Sequence, residues 1–258
     1  MSRISKKISE PCCYHITHRC QERRFFLKFN IDRQNYIKRL REMKIKFSVD
    51  VLDYVITSNH IHLLLWSKKA KYVSAAMHFL QSVSAKDYNA RVKREGAFWR
   101  GRYHPTIIEP GSHLAHCLFY IDLNMLRAGV VKHPAEWRYS GYHELAKKRS
   151  RYCIINIDRL TNCLEINNRD IFHKWYLKTL NEEVEKSYHC RKPVWSESIA
   201  IGSKDWIKNI SHGLLRTKII PILNTYSRLE INESAGMYSL TGGSNTKREF
   251  WKNRQKKS

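Results

Sequence analysis

Between Pro11 and Trp66 the spacing of apolar residues changes repeatedly, and each change marks an element. Cys12-Cys13-Tyr14-His15-Ile16-Thr17 predicts a first strand within residues 11 to 20. Over residues 30 to 46, Ile31, Tyr36, Ile37, Leu40 and Met43 fall largely at helical spacing with charges between them, which predicts a helix. Val49, Val51, Val55 and Ile56 place a second strand within residues 47 to 57. Ser58-Asn59 is a short turn without glycine, and the run from His60 to Trp66 completes a hairpin. Val73, Met77, Leu80 and Val83 line one side of a long helix over residues 71 to 94, stopped by Gly96. Residues 97 to 109 predict a fourth strand, ended by Pro110-Gly111, and Ser112 is a good N-cap for a helix to about Val131. The order strand, helix, strand, strand, helix, strand matches a ferredoxin-like split βαβ unit. The expected class is therefore α+β, an antiparallel sheet with helices packed on one face and the other face left for a site.

After Pro134 the pattern changes. Lys147-Lys148-Arg149-Ser150-Arg151 reads as an exposed junction. Residues 152 to about 232 read as mostly helical, with Ile171, Phe172, Trp175, Tyr176 and Leu180, and later Trp206, Ile207 and Ile210. Residues 244 to 258 hold six Lys or Arg against one acid, a basic tail. The expected organisation is a first domain over residues 1–146, a helical C-terminal extension over 147–243, and the tail over 244–258.

Charge narrows the partner. With 47 Lys and Arg against 23 Asp and Glu in 258 residues, the formal net charge is +24, which favours work on a polyanion. No apolar run approaches the ~18 residues of a membrane span, and no apolar stretch follows the basic N-terminus to make a signal peptide. The seven cysteines are odd in number and form no Cys-x-x-Cys, so reduced, mostly buried thiols in the cytoplasm are expected, and no membrane partner.

Candidate chemistry centres on His60-Ile61-His62. Alternation along a strand puts both imidazoles on one face, with Leu64 and Trp66, while Ile61, Leu63 and Leu65 face a core. Such a pair suits a metal ion, although His-x-His is common and a strand edge with solvated or hydrogen-bonded histidines is the more ordinary reading of the motif alone. In the helix from Ser112, His113, His116, Tyr120, Asn124 and Arg127 form one polar stripe. If that helix lies along the His60–His62 strand, Asn124 can offer an oxygen to a metal and Tyr120 can address whatever the metal binds. An ordinary amphipathic role for Tyr120 fits the spacing as well.

Three segments, in order, carry a family resemblance. They are Ser58-Asn59-His60-Ile61-His62-Leu63-Leu64, Gly96-Ala97-Phe98-Trp99-Arg100-Gly101-Arg102-Tyr103, and the run from Tyr120 to Val131. Over roughly residues 11 to 145 the chain resembles the single-tyrosine HUH transposases, and within them the REP-associated tyrosine transposases. The resemblance implies that His60 and His62 are metal ligands, Asn124 a third polar ligand and Tyr120 the nucleophile. Met125 stands where many members have proline, as in a subset of the family, and Trp195 to Gly202 resembles that subset's C-terminal extension.

The implied activity is cleavage and rejoining of single-stranded DNA beside palindromic, REP-like hairpins through a 5′-phosphotyrosine link, with Mg²⁺ or Mn²⁺ as cofactor. A tyrosine with a pKa near 10 needs such activation. Trp99, Arg100 and Arg102 are expected at the DNA for stacking and phosphate contact, with a core role for Phe98 and Trp99 as the other reading. Arg19, Arg23 and Arg24 are expected to grip a hairpin stem, or to form a solvated loop. Arg127 is placed with the DNA contacts. The chain is expected to be a cytoplasmic, nucleoid-associated bacterial protein and to act as a monomer or homodimer. A rolling-circle or relaxase-type nickase, and a DNA-hairpin-binding domain without catalysis, are the competing functions.

Overall fold

The computed structural model describes residues 11–147, 153–186 and 193–211, together with the backbone of residues 217–221 and 238–242. The basic N-terminus and the tail over 244–258 lie outside the described residues. The first six elements are β1 (Cys12–Arg19), α1 (Asn30–Lys46), β2 (Asp50–Ile56), β3 (His60–Ser67), α2 (Ala70–Arg91) and β4 (His104–Ile108). The strands lie in the order β2-β3-β1-β4, every neighbour antiparallel, which is the ferredoxin-like order expected.

The β1–β3 register sorts the side chains. His18 lies opposite Ile61, Ile16 opposite Leu63 and Tyr14 opposite Leu65. His18 bonds Gln81 of α2, so this row looks toward α1 and α2, which pack on each other. Thr17 opposite His62, His15 opposite Leu64 and Cys13 opposite Trp66 make the other row, on the other face. The hairpin turn before His60 needs no glycine because side chains close it. Thr57 Oγ1 donates to the His60 carbonyl at 2.8 Å and accepts from the backbone N–H groups of Asn59 and His60.

The expected fourth strand begins only at His104. Gly96 and Gly101 hold φ of 93° and 66°, a left-handed geometry that interrupts an extended run. The residues between them instead fold over the end of β1, where Cys20 pairs with Trp99.

The expected single helix from Ser112 to Val131 is shorter and bent. It divides into α3 (Ser112–Asp122) and α4 (Asn124–Arg127) at Leu123, whose ψ of 5° departs from the helical value. It stops because Gly129 is left-handed, with Val130 N–H donating to the Met125 carbonyl and Gly129 N–H to that of Leu126, a Schellman cap. The second sheet face is not open, contrary to the expectation. α3 contacts β2, β3 and β4, and its residues from His113 to Asp122 are buried. Its polar stripe turns inward because the strand row beneath is itself polar.

The C-terminal extension continues the same body. After α5 (Tyr142–Leu145), α6 (Ile157–Cys163), α7 (Arg169–Glu185) and α8 (Val194–Glu197), β5 (Ala200–Gly202) pairs parallel with β4. α9 (Lys204–Ser211) follows, and β6 (Thr217–Pro221) and β7 (Tyr238–Gly242) extend the sheet in the order β4-β5-β7-β6. The expected mostly helical extension thus also supplies strands. Ile107 and Glu109 donate their backbone N–H groups to the carbonyls of Ile199 and Ile201, so the open edge of β4 is paired. Of the described cysteines only Cys153 is exposed.

A buried acidic cluster lies where β2, α3 and α7 meet. Tyr176 donates to Asp122 Oδ2 at 2.8 Å, while both Asp53 carboxylate oxygens lack a partner among the described residues. Burial, then the Asp122 charge, holds the Asp53 carboxyl well above its usual range, and burial pushes Asp122 up to about 7. Gly141 fits tightly there: a Cβ at that position would meet Asp53 Oδ1 at 2.1 Å.

Candidate active site

β3 positions His60 and His62 on the polar sheet face, and α3 lays Tyr120 over them. The His60 and His62 rings stand 5.1 Å apart, edge to face. The Tyr120 ring meets His62 at 5.8 Å and His15 of β1 at 5.8 Å, in both cases edge to face. Asn124, at the start of α4, sets its amide 3.2 Å from His62 Nε2. The two histidines, the tyrosine and the asparagine read from the sequence therefore converge at one place.

The proton positions follow from partners that can only accept. His60 Nδ1 lies 2.7 Å from Asn59 Oδ1, which must receive a proton from it. His15 Nδ1 lies 2.8 Å from the Trp195 carbonyl, another pure acceptor, and His15 Nε2 lies 2.8 Å from His62 Nδ1. Burial is the main force holding His15 down to about 3 and His62 well below the usual imidazole range, so both rings are neutral. A neutral His15 that donates through Nδ1 must accept through Nε2, so His62 donates through Nδ1. His62 then presents Nε2 as the lone-pair nitrogen, while in His60 it is Nδ1 that is tied to Asn59 Oδ1.

This donor set fits a divalent cation. In each of the two imidazoles Nδ1 is tied to a partner, the arrangement that supports a metal-bound histidine. The Asn124 amide already touches His62 Nε2, and a half-turn of that amide presents its oxygen there. Among the described residues no three His, Cys, Asp or Glu side chains gather to hold a metal. The set is two imidazoles and an amide, which leaves positions for phosphate oxygens and water.

Tyr120 is enclosed, with only 4% of its surface exposed. Trp195 of α8 stacks on its ring at 5.6 Å. The Arg127 guanidinium lies 4.2 Å from the ring centroid, and its Nη2 donates to the Tyr120 carbonyl. Arg127, expected among the DNA contacts, thus sits against the candidate nucleophile.

The remaining expected DNA residues separate into two groups. Arg19 lies opposite His60 across the β1–β3 ladder, and the Arg100 N–H donates to the Arg19 carbonyl. Arg23, Arg24, Arg100 and Arg102 are exposed, and the Arg23 carbonyl accepts from Asn59 Nδ2. These arginines form a basic rim at the His60 end of the sheet. Trp99 does not belong to it, which corrects the expectation of a stacking platform. Phe98 and Trp99 are buried, the Trp99 ring stacks on His18 at 4.1 Å, and its Nε1 donates to Ser84 Oγ at 3.2 Å. Both ring and polar handle are used inside the core. The exposed aromatics are instead Phe25 and Phe29, 64% and 60% accessible, in the loop that carries Arg23 and Arg24.

Sequence reasoning missed His15, Trp195 and this phenylalanine pair. His15 carried a signal, since alternation from Tyr14 and Ile16 puts it on the His62 face once β1 and β3 are paired. Trp195 lies in the segment that resembles the family's C-terminal extension, and that resemblance implies no role for it.

No curated protein matches the chain. A solved structure described as "Structure of the REP associates tyrosine transposase bound to a REP hairpin" shares 18% identity, covers 60% of this chain and 90% of that chain, and superposes with a TM-score of 0.49. A family model matches residues 9–124, the span that runs from the first strand through His60, His62 and Tyr120 to Asn124. Over that span the chain is similar to the family described as "Transposase IS200 like", in agreement with the resemblance of its first two motifs and of Tyr120 to Asn124.

Proposed function

We propose that the protein is a metal-dependent transposase or endonuclease that cuts and rejoins single-stranded DNA beside hairpins, with Tyr120 as nucleophile. The observation that carries this reading is the meeting of Tyr120, His62 and Asn124 on one buried sheet face. His60, His62 and Asn124 would hold Mg²⁺ or Mn²⁺. Bound there, the cation would supply charge neutralisation and polarisation at one scissile phosphate.

The chain's own residues do the rest. Tyr120 Oη gives up its proton to water and attacks phosphorus, a tyrosyl O–P bond forms, the P–O3′ bond breaks, and the released 3′ oxygen takes a proton from water. The product is a 5′-phosphotyrosine and a free 3′-hydroxyl, and one phosphodiester replaces another. Arg127, whose guanidinium lies over the Tyr120 ring, would offer positive charge to a phosphate beside it. Arg19, Arg23, Arg24, Arg100 and Arg102 hold the DNA backbone along the rim, and Phe25 and Phe29 offer stacking faces for unpaired bases.

The test is a labelled single-stranded hairpin oligonucleotide incubated with the protein and Mn²⁺, followed by denaturing electrophoresis. Wild type should yield a covalent protein–DNA band and Tyr120→Phe should yield none while still binding the hairpin. A band that persists in Tyr120→Phe removes Tyr120 as nucleophile. Binding without any band, across hairpin sequences, favours the non-catalytic binding reading.

A further inference from the structure

We infer that His15 is a positioning residue of this site, anchored on the C-terminal extension, and that it sets which nitrogen of His62 is available to a metal. The inference rests on the reading of His60 and His62 as ligands and assigns a task to residues outside the HUH and tyrosine motifs.

The chain of contacts runs across the whole sequence. The Trp195 carbonyl accepts from His15 Nδ1 at 2.8 Å, and His15 Nε2 accepts from His62 Nδ1 at 2.8 Å. The His15 and His62 rings lie 5.0 Å apart and nearly coplanar in tilt, 14° between planes. Both rings are buried, at 0% and 4% exposure, so water does not compete for these protons. A carbonyl has no proton to give, so the direction of donation is fixed at the Trp195 end and propagates to His62.

The carbonyl is itself held in place. Thr106 Oγ1 donates to the Ser198 carbonyl at 2.7 Å and His104 Nε2 bonds the same carbonyl at 2.8 Å. Thr106 and His104 lie opposite His15 and Thr17 in the β1–β4 ladder, so they stand on the same face as the site. Parallel pairing of β5 with β4 fixes the following residues. The side chains of β1 and β4 thus fasten residues 195–198 over the sheet. The same segment places the Trp195 ring on Tyr120. One short stretch of the extension therefore orients both a proposed metal ligand and the proposed nucleophile.

The test uses the full-length, metal-free protein labelled with ¹⁵N-histidine. Long-range ¹H–¹⁵N correlation spectra report which ring nitrogen carries the proton. Wild type should show His62 protonated at Nδ1 and bare at Nε2. In His15→Leu that preference should be lost, and in His15→Gln, whose amide oxygen can accept in place of Nε2, it should return. Titration with Mn²⁺ alone, followed by electron paramagnetic resonance, should show about 10- to 100-fold weaker binding in His15→Leu, recovered in His15→Gln. A wild-type His62 protonated at Nε2, or unchanged Mn²⁺ affinity in a folded His15→Leu, overturns the inference. If His15→Leu does not fold, the wild-type spectrum and the glutamine variant still decide it. A wild type with the expected tautomer but no covalent DNA band sinks the proposed reaction and leaves the relay standing. A cutting enzyme with the opposite tautomer sinks the relay alone.

Discussion

Two buried polar clusters share one sheet face and one helix, and they are built on opposite terms. Tyr120 and Asp122 sit two residues apart on α3. Around Tyr120, His15 and His62 pass hydrogen bonds from one to the next and end on a backbone carbonyl. Around Asp122, Tyr176 supplies one bond and Asp53 has no partner among the described residues. The first cluster avoids charge by keeping imidazoles neutral, the second by keeping carboxyls protonated. Burial does both, lowering His15 to about 3 and raising Asp122 to about 7. The contrast teaches that burial alone does not make a site. The imidazole cluster has a ligand-ready nitrogen beside the proposed nucleophile; the carboxyl cluster has two acids and neither of these.

The sharpest way to break that contrast is to disable one cluster at a time. His62→Ala should reduce covalent adduct formation to background with hairpin binding retained, while Asp53→Asn, isosteric and neutral, should leave the adduct within a few-fold of wild type. Quantified adduct bands on denaturing gels check both. An inactive, folded Asp53→Asn would move the acidic cluster into the chemistry.

The second difference is in acid response. A carboxyl raised from about 4 to about 7 gives the folded state extra protons between those values, so its contribution falls as pH rises through that window. A buried histidine lowered from 6.5 to about 3 acts in reverse: its contribution is present above 6.5 and is lost as pH falls toward 3. Asp122→Asn keeps an acceptor for Tyr176 and removes the first term. It should raise thermal stability near pH 7 relative to wild type by an amount on the order of a few kcal/mol and leave pH 4 little changed. Thermal melts followed by circular dichroism across this range read the difference.

A purely steric probe comes next. Gly141→Ala drives a methyl into Asp53 and Ile155, at 2.1 and 2.8 Å from the nearest atoms, and should cost about 1–3 kcal/mol in urea unfolding. Adduct formation below the melting point should change little. The smallest effect concerns the rim outside both clusters. Arg100→Ala should leave stability unchanged and reduce the salt dependence of hairpin binding by about one phosphate contact, read by fluorescence anisotropy at several salt concentrations.

The sheet and its helices were legible because periodicity records which face is buried. Ile61, Leu63 and Leu65 announce the α1–α2 side, and His60 and His62 the other. The ends of elements were less legible. Gly101 cut β4 short, and Leu123 divided the tyrosine helix with no proline or glycine to signal it. The polar stripe of α3 misled in one respect. Its polar and apolar sides are not an outside and an inside, since His113 and His116 are buried and His113 pairs with Glu109 at 3.1 Å. Trp99 shows the converse, since an aromatic between arginines reads as a binding platform until its ring is seen against His18. His15 and Trp195 were beyond pattern reading, because a contact between residues 180 positions apart leaves no local trace.

That separation also orders events in the making of the molecule. The strands that carry His15 and His62 can pair as soon as the first third of the chain exists. The carbonyl that orients them is synthesised far later, and closing so long a loop is entropically costly until the sheet is already formed. The histidine motif therefore emerges from the ribosome well before its finished geometry does. A growing chain can hold the signature of the proposed DNA-cutting centre while lacking the last backbone group that aligns it.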